Sequence, residues 1–202
     1  PDALYDEIYQ YARTIDPNNE YFDGVGAPIP ATRGGKIDLP VTMGSLNERY
    51  EDGSGKPTVE QWVSDNGLVD ELFVITDKLD GTAGLLGYTS NNTFNIGYSR
   101  GDGKKGADIS RHLVQMPSVP KRINFGEGYV IGENIISESN FSDVLLETSD
   151  RKDPYKTTRN AVAGIMNGTS NQPIIYQYVD FVAYGIISST PYSKNDMLTA
   201  LV

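Results

Sequence analysis

Lys78 and Asp80 stand two residues apart, after the apolar run 72–75 (LFVI) and directly before Gly81. A lysine becomes a nucleophile when desolvation or a neighbouring cation lowers its pKa. In an extended chain residues two apart share a face, so Thr76, Lys78 and Asp80 would project together. The simpler reading of this segment alone is a strand end running into an Asp-Gly turn, with the charges in water. Three more segments could do chemistry. In 99–106 (SRGDGKKG) the glycines let backbone approach an anion, Arg100 could pair with phosphate, and Lys104 and Lys105 add positive charge. The alternative there is an exposed hairpin with solvated lysines. In 125–129 (FGEGY), Glu127 sits within an apolar stretch, where a carboxylate is expensive unless it faces water or holds a group such as a ribose diol. Alternation would put Phe125, Glu127 and Tyr129 on one face. In 158–164 (TRNAVAG), Arg159 falls near a helix N-terminus, a poor place for a cation unless an anion faces it. The alternative is a surface arginine on an alanine-rich helix.

The elements that must position these residues follow from periodicity. Residues 3–14 have helical spacing, with Asp2 as cap and Asp2, Tyr5, Asp6 and Tyr9 on a second face. Residues 15–40 are rich in Pro, Gly and Asn and read as a connector. Residues 57–69 predict a short helix capped by Thr58, with Trp62 in the core. The segments ELFVIT, TAGLLGYTS and NTFNIGYSRG predict strands separated by Asp-Gly and Ser-Asn-Asn turns. A helix over GADISRHLVQM, a strand over RINFGEGYVIGE, a helix over TTRNAVAGIMNG and the long β-rich run IIYQYVDFVAYGIIS follow. SKNDMLTALV predicts a last helix. The order is that of an α+β domain built on antiparallel sheet.

Composition narrows the chemistry. At 202 residues the chain can bury one sizeable core, and 38 % hydrophobic with 22 % charged residues suits a globular protein. A formal net charge of −10 argues against loose electrostatic binding to nucleic acid or an anionic membrane, though not against a local basic groove. The absence of cysteine rules out disulfides, thiolate catalysis and cysteine-ligated zinc. The single histidine, His112, reads as a surface or packing residue rather than a base. No apolar run approaches the length of a membrane span. The opening PDALYDE reads as an interior segment rather than a natural start.

Each segment is ambiguous alone, but their order is specific. Lys-x-Asp-Gly, Arg-Gly-Asp-Gly, Gly-Glu in a strand, Thr-Arg-Asn-Ala-x-Ala-Gly and then Asp-Phe-x-Ala-Tyr-Gly (180–185) together resemble the adenylation domain of NAD-dependent DNA ligases. PDALYDE (1–7), VGAP (25–28) and MGSLNE (43–48) add to the resemblance. It implies a nucleotidyltransferase fold with antiparallel sheets. Residues 1–24 would be the end of a helical subdomain that grips nicotinamide mononucleotide, and 25–202 a C-terminally incomplete transferase domain.

By match of motif the resemblance makes Lys78 the nucleophile toward NAD+ and Asp80 its close partner. Arg100 and Glu127 would line the ribose and phosphate, and Arg159 would contact phosphate. Ser45 and Leu46 would lie near the adenosine, and Asp2, Tyr5 and Asp6 at the nicotinamide end. Mg2+ would assist, nicked double-stranded DNA would be the partner, and the setting would be the cytoplasm of a bacterium or phage-infected cell. Four positions depart from the family's usual residues: Thr76, Ala107, Phe125 and Asn167. The family's second Asp-Gly strand and further lysines lie downstream of Val202. A second polypeptide could therefore carry them, or the chain could be a subunit that binds nucleotide or a partner without unaided adenylation.

Overall fold

The computed structural model describes residues 8, 11–17, 35–45, 49, 57–168, 173–189 and 196. Its centre is an antiparallel sheet of four strands in the order β3-β2-β5-β6: β2 (Thr82–Tyr88), β3 (Phe94–Ser99), β5 (Gly128–Ile135) and β6 (Asp180–Ser188). β1 (Ile37–Asp38) and β4 (Lys105–Gly106) form a second, two-stranded antiparallel sheet. The helices are α1 (Val59–Asp65), α2 (Ser110–Leu113), α3 (Glu138–Glu147) and α4 (Thr158–Asn167), with a 3-10 segment over Pro173–Tyr178. Side-chain hydroxyls cap three of them: Thr58 accepts from Gln61 N at 3.1 Å, Ser137 from Asn140 N at 3.2 Å, and Thr157 from Asn160 N at 3.1 Å. Each such cap satisfies a donor that the helix itself cannot, at a gain of about 1 kcal/mol.

Leu85 and Leu86 are adjacent in β2 and both fully buried. In a strand they point to opposite faces, so the sheet is covered on both sides there. On the Leu86 side, Tyr88, Val130 and Phe181 meet Leu113, Met116, Val144, Ala161, Val162 and Ile165 from the helical layer. On the Leu85 side the cover is lighter: Met43 and Tyr98, with Ile37, Leu39, Val41 and Ile131 around them. The end of that lighter face near Ala83 and Glu133 carries the candidate site. Burying a leucine fully contributes about 1.5–3 kcal/mol, so the helical side holds most of the fold's stability.

Several expected elements differ. Residues 71–80, read as strand ELFVIT and its continuation, carry no regular structure. Leu72 is 100 % and Ile75 93 % exposed, and none of the described strands pairs with this run. The strand over RINFGEGYVIGE begins only at Gly128. Gly126 has φ +86°, which breaks the expected alternation. Phe125 accordingly packs on the helical core and Tyr129 on the opposite cluster. The helix over GADISRHLVQM shortens to the single turn of α2. Trp62 is half-buried rather than core, resting on Phe73 with ring centroids 6.2 Å apart. Of the two readings for His112, surface or packing, the structure has the second, with the ring buried at 1 % exposure. Helix α3 was not foreseen. Residues 8 and 11–15 are helical, whereas most of the expected helix 3–14, and the expected last helix apart from Asp196, lie outside the described residues.

Candidate functional site

The Lys78–Asp80 segment is placed by the turn that follows it. Gly81 is buried against β5, and a Cβ there would lie 2.0 Å from the Asn134 carbonyl oxygen, so only glycine lets the chain pass into β2. Just before that tight point, Lys78 and Asp80 are exposed to solvent. Asp80 does not stand alone. Arg159, in the first turn of α4, donates from Nη1 to Asp80 Oδ1 at 2.9 Å. A cation at a helix N-terminus opposes the macrodipole, and a carboxylate beside it offsets that cost. Arg159 remains on the surface at 57 % side-chain exposure, but it faces a carboxylate rather than water alone.

The RGDG loop joins β3 to β4. Gly101 (φ +55°) and Gly103 (φ +88°) adopt left-handed backbone that permits its tight path. Asp102 Oδ1 accepts from Lys104 N at 3.0 Å and Lys105 N at 2.7 Å. These two backbone donors hold its carboxyl below the usual range. Asp102 therefore shapes the loop, and Lys105 Nζ lies 3.4 Å from Asp38. The strand-like segment 37–43 lies beside the loop, with Leu39 N donating to Lys104 O at 2.8 Å and Met43 N to Gly103 O at 2.9 Å. Ser45, two residues beyond Met43, is exposed. Arg100, at the base of the loop, is half-buried.

A residue that the sequence did not single out joins them. Glu133, on β5 opposite Ala83, is half-buried on the same face. Burial raises its carboxyl above the usual range; Arg100, Arg159 and Lys78 draw it down, and Asp80 pushes it up. The carboxylate thus senses every charged group of the site. Tyr184 faces the same group: burial raises its hydroxyl, Glu133 raises it further, and Arg100 lowers it. The backbone explains how. Ile131 pairs with Gly185 and Gly132 with Ala183, so Tyr184 is the extra residue of a β-bulge. A bulge re-aims a side chain, and here it turns a ring toward Glu133.

Glu127 is elsewhere. It lies six residues earlier, roughly 20 Å away at about 3.3 Å per residue. It lines a separate cavity of about 300 Å³ with Gly87, Tyr88, Asn95, Ile96 and Tyr129. The structure therefore brings Lys78, Asp80, Arg100 and Arg159 together with Glu133, and places Glu127 at the separate cavity. The signal was present: Gly-Glu occurs twice, at 126–127 and 132–133, and only the second lies inside an unbroken strand. Asp2, Tyr5, Asp6 and Leu46 lie outside the described residues. Among the departing positions, Thr76 is exposed, Ala107 is half-buried and Asn167 is exposed at the last position of α4.

An antiparallel sheet with a lysine, two arginines and two carboxylates gathered at one open end is the α+β arrangement of a nucleotidyltransferase. Residues 35–201 match the family model of the NAD-dependent DNA ligase adenylation domain, and the chain belongs to that family. A DNA ligase of Acanthamoeba polyphaga mimivirus is 32 % identical over 169 residues, covering 82 % of this chain and 24 % of the relative. One from Halothermothrix orenii is 28 % identical over 200 residues, covering 93 % and 29 %. One from a Hydrogenobaculum strain is 25 % identical over 205 residues, covering 94 % and 29 %. The chain thus spans under a third of these relatives' length. Among the described residues no cluster of three or more His, Asp or Glu side chains could hold a metal ion. No described helix is long and apolar enough to cross a membrane.

Proposed function

We propose that this chain is the self-adenylating core of an NAD-dependent DNA ligase. Lys78 Nζ attacks the α-phosphorus of NAD+. A P–N bond forms, the bond to the bridging pyrophosphate oxygen breaks, nicotinamide mononucleotide leaves, and the amine loses its proton. AMP then passes to the 5′-phosphate of nicked double-stranded DNA, and the 3′-hydroxyl displaces it to seal the strand. One observation carries this reading: the Arg159–Asp80 contact at 2.9 Å, which sets the arginine of the TRNAVAG helix against the KLDG segment. Arg159 and Arg100 would bind phosphate and stabilise the charge that develops there. Glu133 would accept from the ribose hydroxyls or hold Lys78, and the Tyr184 ring would offer a surface for the base. Residues 1–24 remain our assignment to the nicotinamide end.

Asp80 and Glu133 are two carboxylates among cations, too few for a protein cage but suited to a Mg2+ that arrives with the substrate's phosphates. When bound, Mg2+ would neutralise phosphate charge. Intact-mass spectrometry before and after NAD+ and Mg2+, with Lys78→Ala alongside, tests the proposal. Addition of one AMP, lost in Lys78→Ala, supports it. No addition removes unaided adenylation.

A second reading is that the chain needs further polypeptide, continuous with it or separate, before Lys78 can react. The exposure of Leu72, Phe73, Val74 and Ile75 beside that lysine favours it, because a strand-forming apolar run left in water invites strand addition. Adenylation that appears only when the remaining ligase segments are supplied would select this reading.

A further inference from the structure

The C-terminal end of α4 is held by a side chain from another element. Arg111 donates through Nη2 to the carbonyl of Gly168, the residue that caps α4. Through Nε it also donates to His112 Nε2 at 3.1 Å. An arginine only donates, so Nε2 is the acceptor nitrogen and the imidazole is neutral. Nδ1–H then donates to the Tyr176 hydroxyl, 2.6 Å away. His112 and Tyr176 are each 1 % exposed. Burial, with the charge of Arg111 beside it, keeps His112 neutral.

The tie therefore joins three elements: α2, the end of α4 and the 3-10 segment. It grips the chain on both sides of residues 169–172. Helix α4 already buries Ala161, Val162, Ile165 and Met166. Such apolar contacts stabilise a helix without fixing its position along its axis. A buried imidazole and a guanidinium are costlier than apolar contacts, and their directional hydrogen bonds do fix it. A guanidinium at a helix C-terminus also suits the macrodipole. The opposite end of the same helix carries Arg159, and a hydrogen bond of 2.9 Å to Asp80 tolerates only a few tenths of an ångström of slip.

We propose that Arg111, fixed by His112 and Tyr176, is a positioning residue that sets α4 so that Arg159 meets Asp80 and the phosphate of the bound nucleotide. This rests on the adenylation reading above. The tie acts at a distance of one helix length from the chemistry and touches no reacting atom. It explains why the only histidine of the chain is buried beside an arginine.

The test is a double-mutant cycle on the full chain. Arg111→Met keeps the aliphatic stem and removes the donors; Arg159→Ala removes the group it is held to act through. The rate of Lys78 adenylation against NAD+ concentration, the melting temperature and the NMR signal of the Arg159 Nε–H are read for each. Arg111→Met is expected to raise the KM for NAD+ about tenfold, and to broaden or shift the Arg159 signal without NAD+ present. The double variant is expected to be no worse than Arg159→Ala alone, because residues acting through one group do not add. Penalties that multiply, or an Arg159 signal unchanged in Arg111→Met, overturn the proposal. If the unmodified chain takes no AMP, unaided adenylation fails, while the NMR comparison still decides the tie.

Discussion

Asp80 and Arg159 stand 79 residues apart in the chain and meet at 2.9 Å. Their side chains are 69 % and 57 % exposed, so the pair adds little to stability. An exposed ion pair contributes under about 1 kcal/mol. Arg159→Ala should therefore leave the melting temperature within a degree or two of the parent. It should slow lysine adenylation on the order of a hundredfold if the arginine stabilises phosphate charge. A large drop in melting temperature with adenylation intact would make the pair structural.

Glu133 and Glu127 make a matched comparison, because the first lies within β5 and the second directly before it. Glu133→Gln should slow adenylation at least tenfold. Glu127→Gln should leave it within twofold. Stability should move the other way. A carboxyl whose pKa is raised by folding favours the folded state at low pH and loses that contribution as pH rises through the folded value. Glu133→Gln should thus melt slightly higher than the parent at neutral pH, with the gain shrinking toward pH 4. Equal activity in both variants would remove Glu133 from the site.

His112 gives a pH signature. Burial first, and the Arg111 charge second, push its pKa from 6.5 down to about 4. The folded state resists a proton that the unfolded chain accepts, so stability is full above pH 6.5 and falls as pH drops toward 4. The loss is about 3 kcal/mol over that window. An imidazole NMR titration with a midpoint near 4, alongside urea unfolding at several pH values, checks it. A midpoint near 6.5 would mean that the imidazole is solvated.

Gly81 and Gly44 separate a required glycine from a tolerant one. Gly81→Ala would force a methyl onto the Asn134 carbonyl oxygen. It should cost more than about 2 kcal/mol in urea unfolding, the range of substitutions that force backbone apart. Nothing lies within 4 Å of a Cβ at Gly44, so Gly44→Ala should be neutral or slightly stabilising. Equal effects would show that the turn into β2 is not close-packed.

What the sequence disclosed depended on whether the signal was local. β2, β3 and α4 were legible because cap, turn and period agree within each segment. The motif order led to Lys78, Asp80, Arg100 and Arg159. The run 72–75 was misread because strand propensity reports fit to a neighbouring strand, and none of the described residues supplies one. Alternation carried through Gly126 groups Phe125, Glu127 and Tyr129 on one face, but the positive φ of Gly126 resets the faces, and Glu133 carries no local mark beyond a second Gly-Glu. The bulge at Tyr184 depends on pairing between distant strands, which no local pattern encodes. Helix α3 was hidden by its serines and asparagine, which weaken the apolar stripe around Val144.

The exposed run 72–75 also bears on how the molecule behaves in a tube. Four strand-forming side chains in water are a contact seed between copies, and at neutral pH a net charge of −10 keeps the copies apart. That repulsion fades toward the isoelectric point, near pH 4.5, within the window over which the depressed pKa of His112 erodes folding stability. Colloidal protection and folding stability thus fail over the same pH range. Mildly acidic buffers should clot this protein where alkaline ones keep it clear.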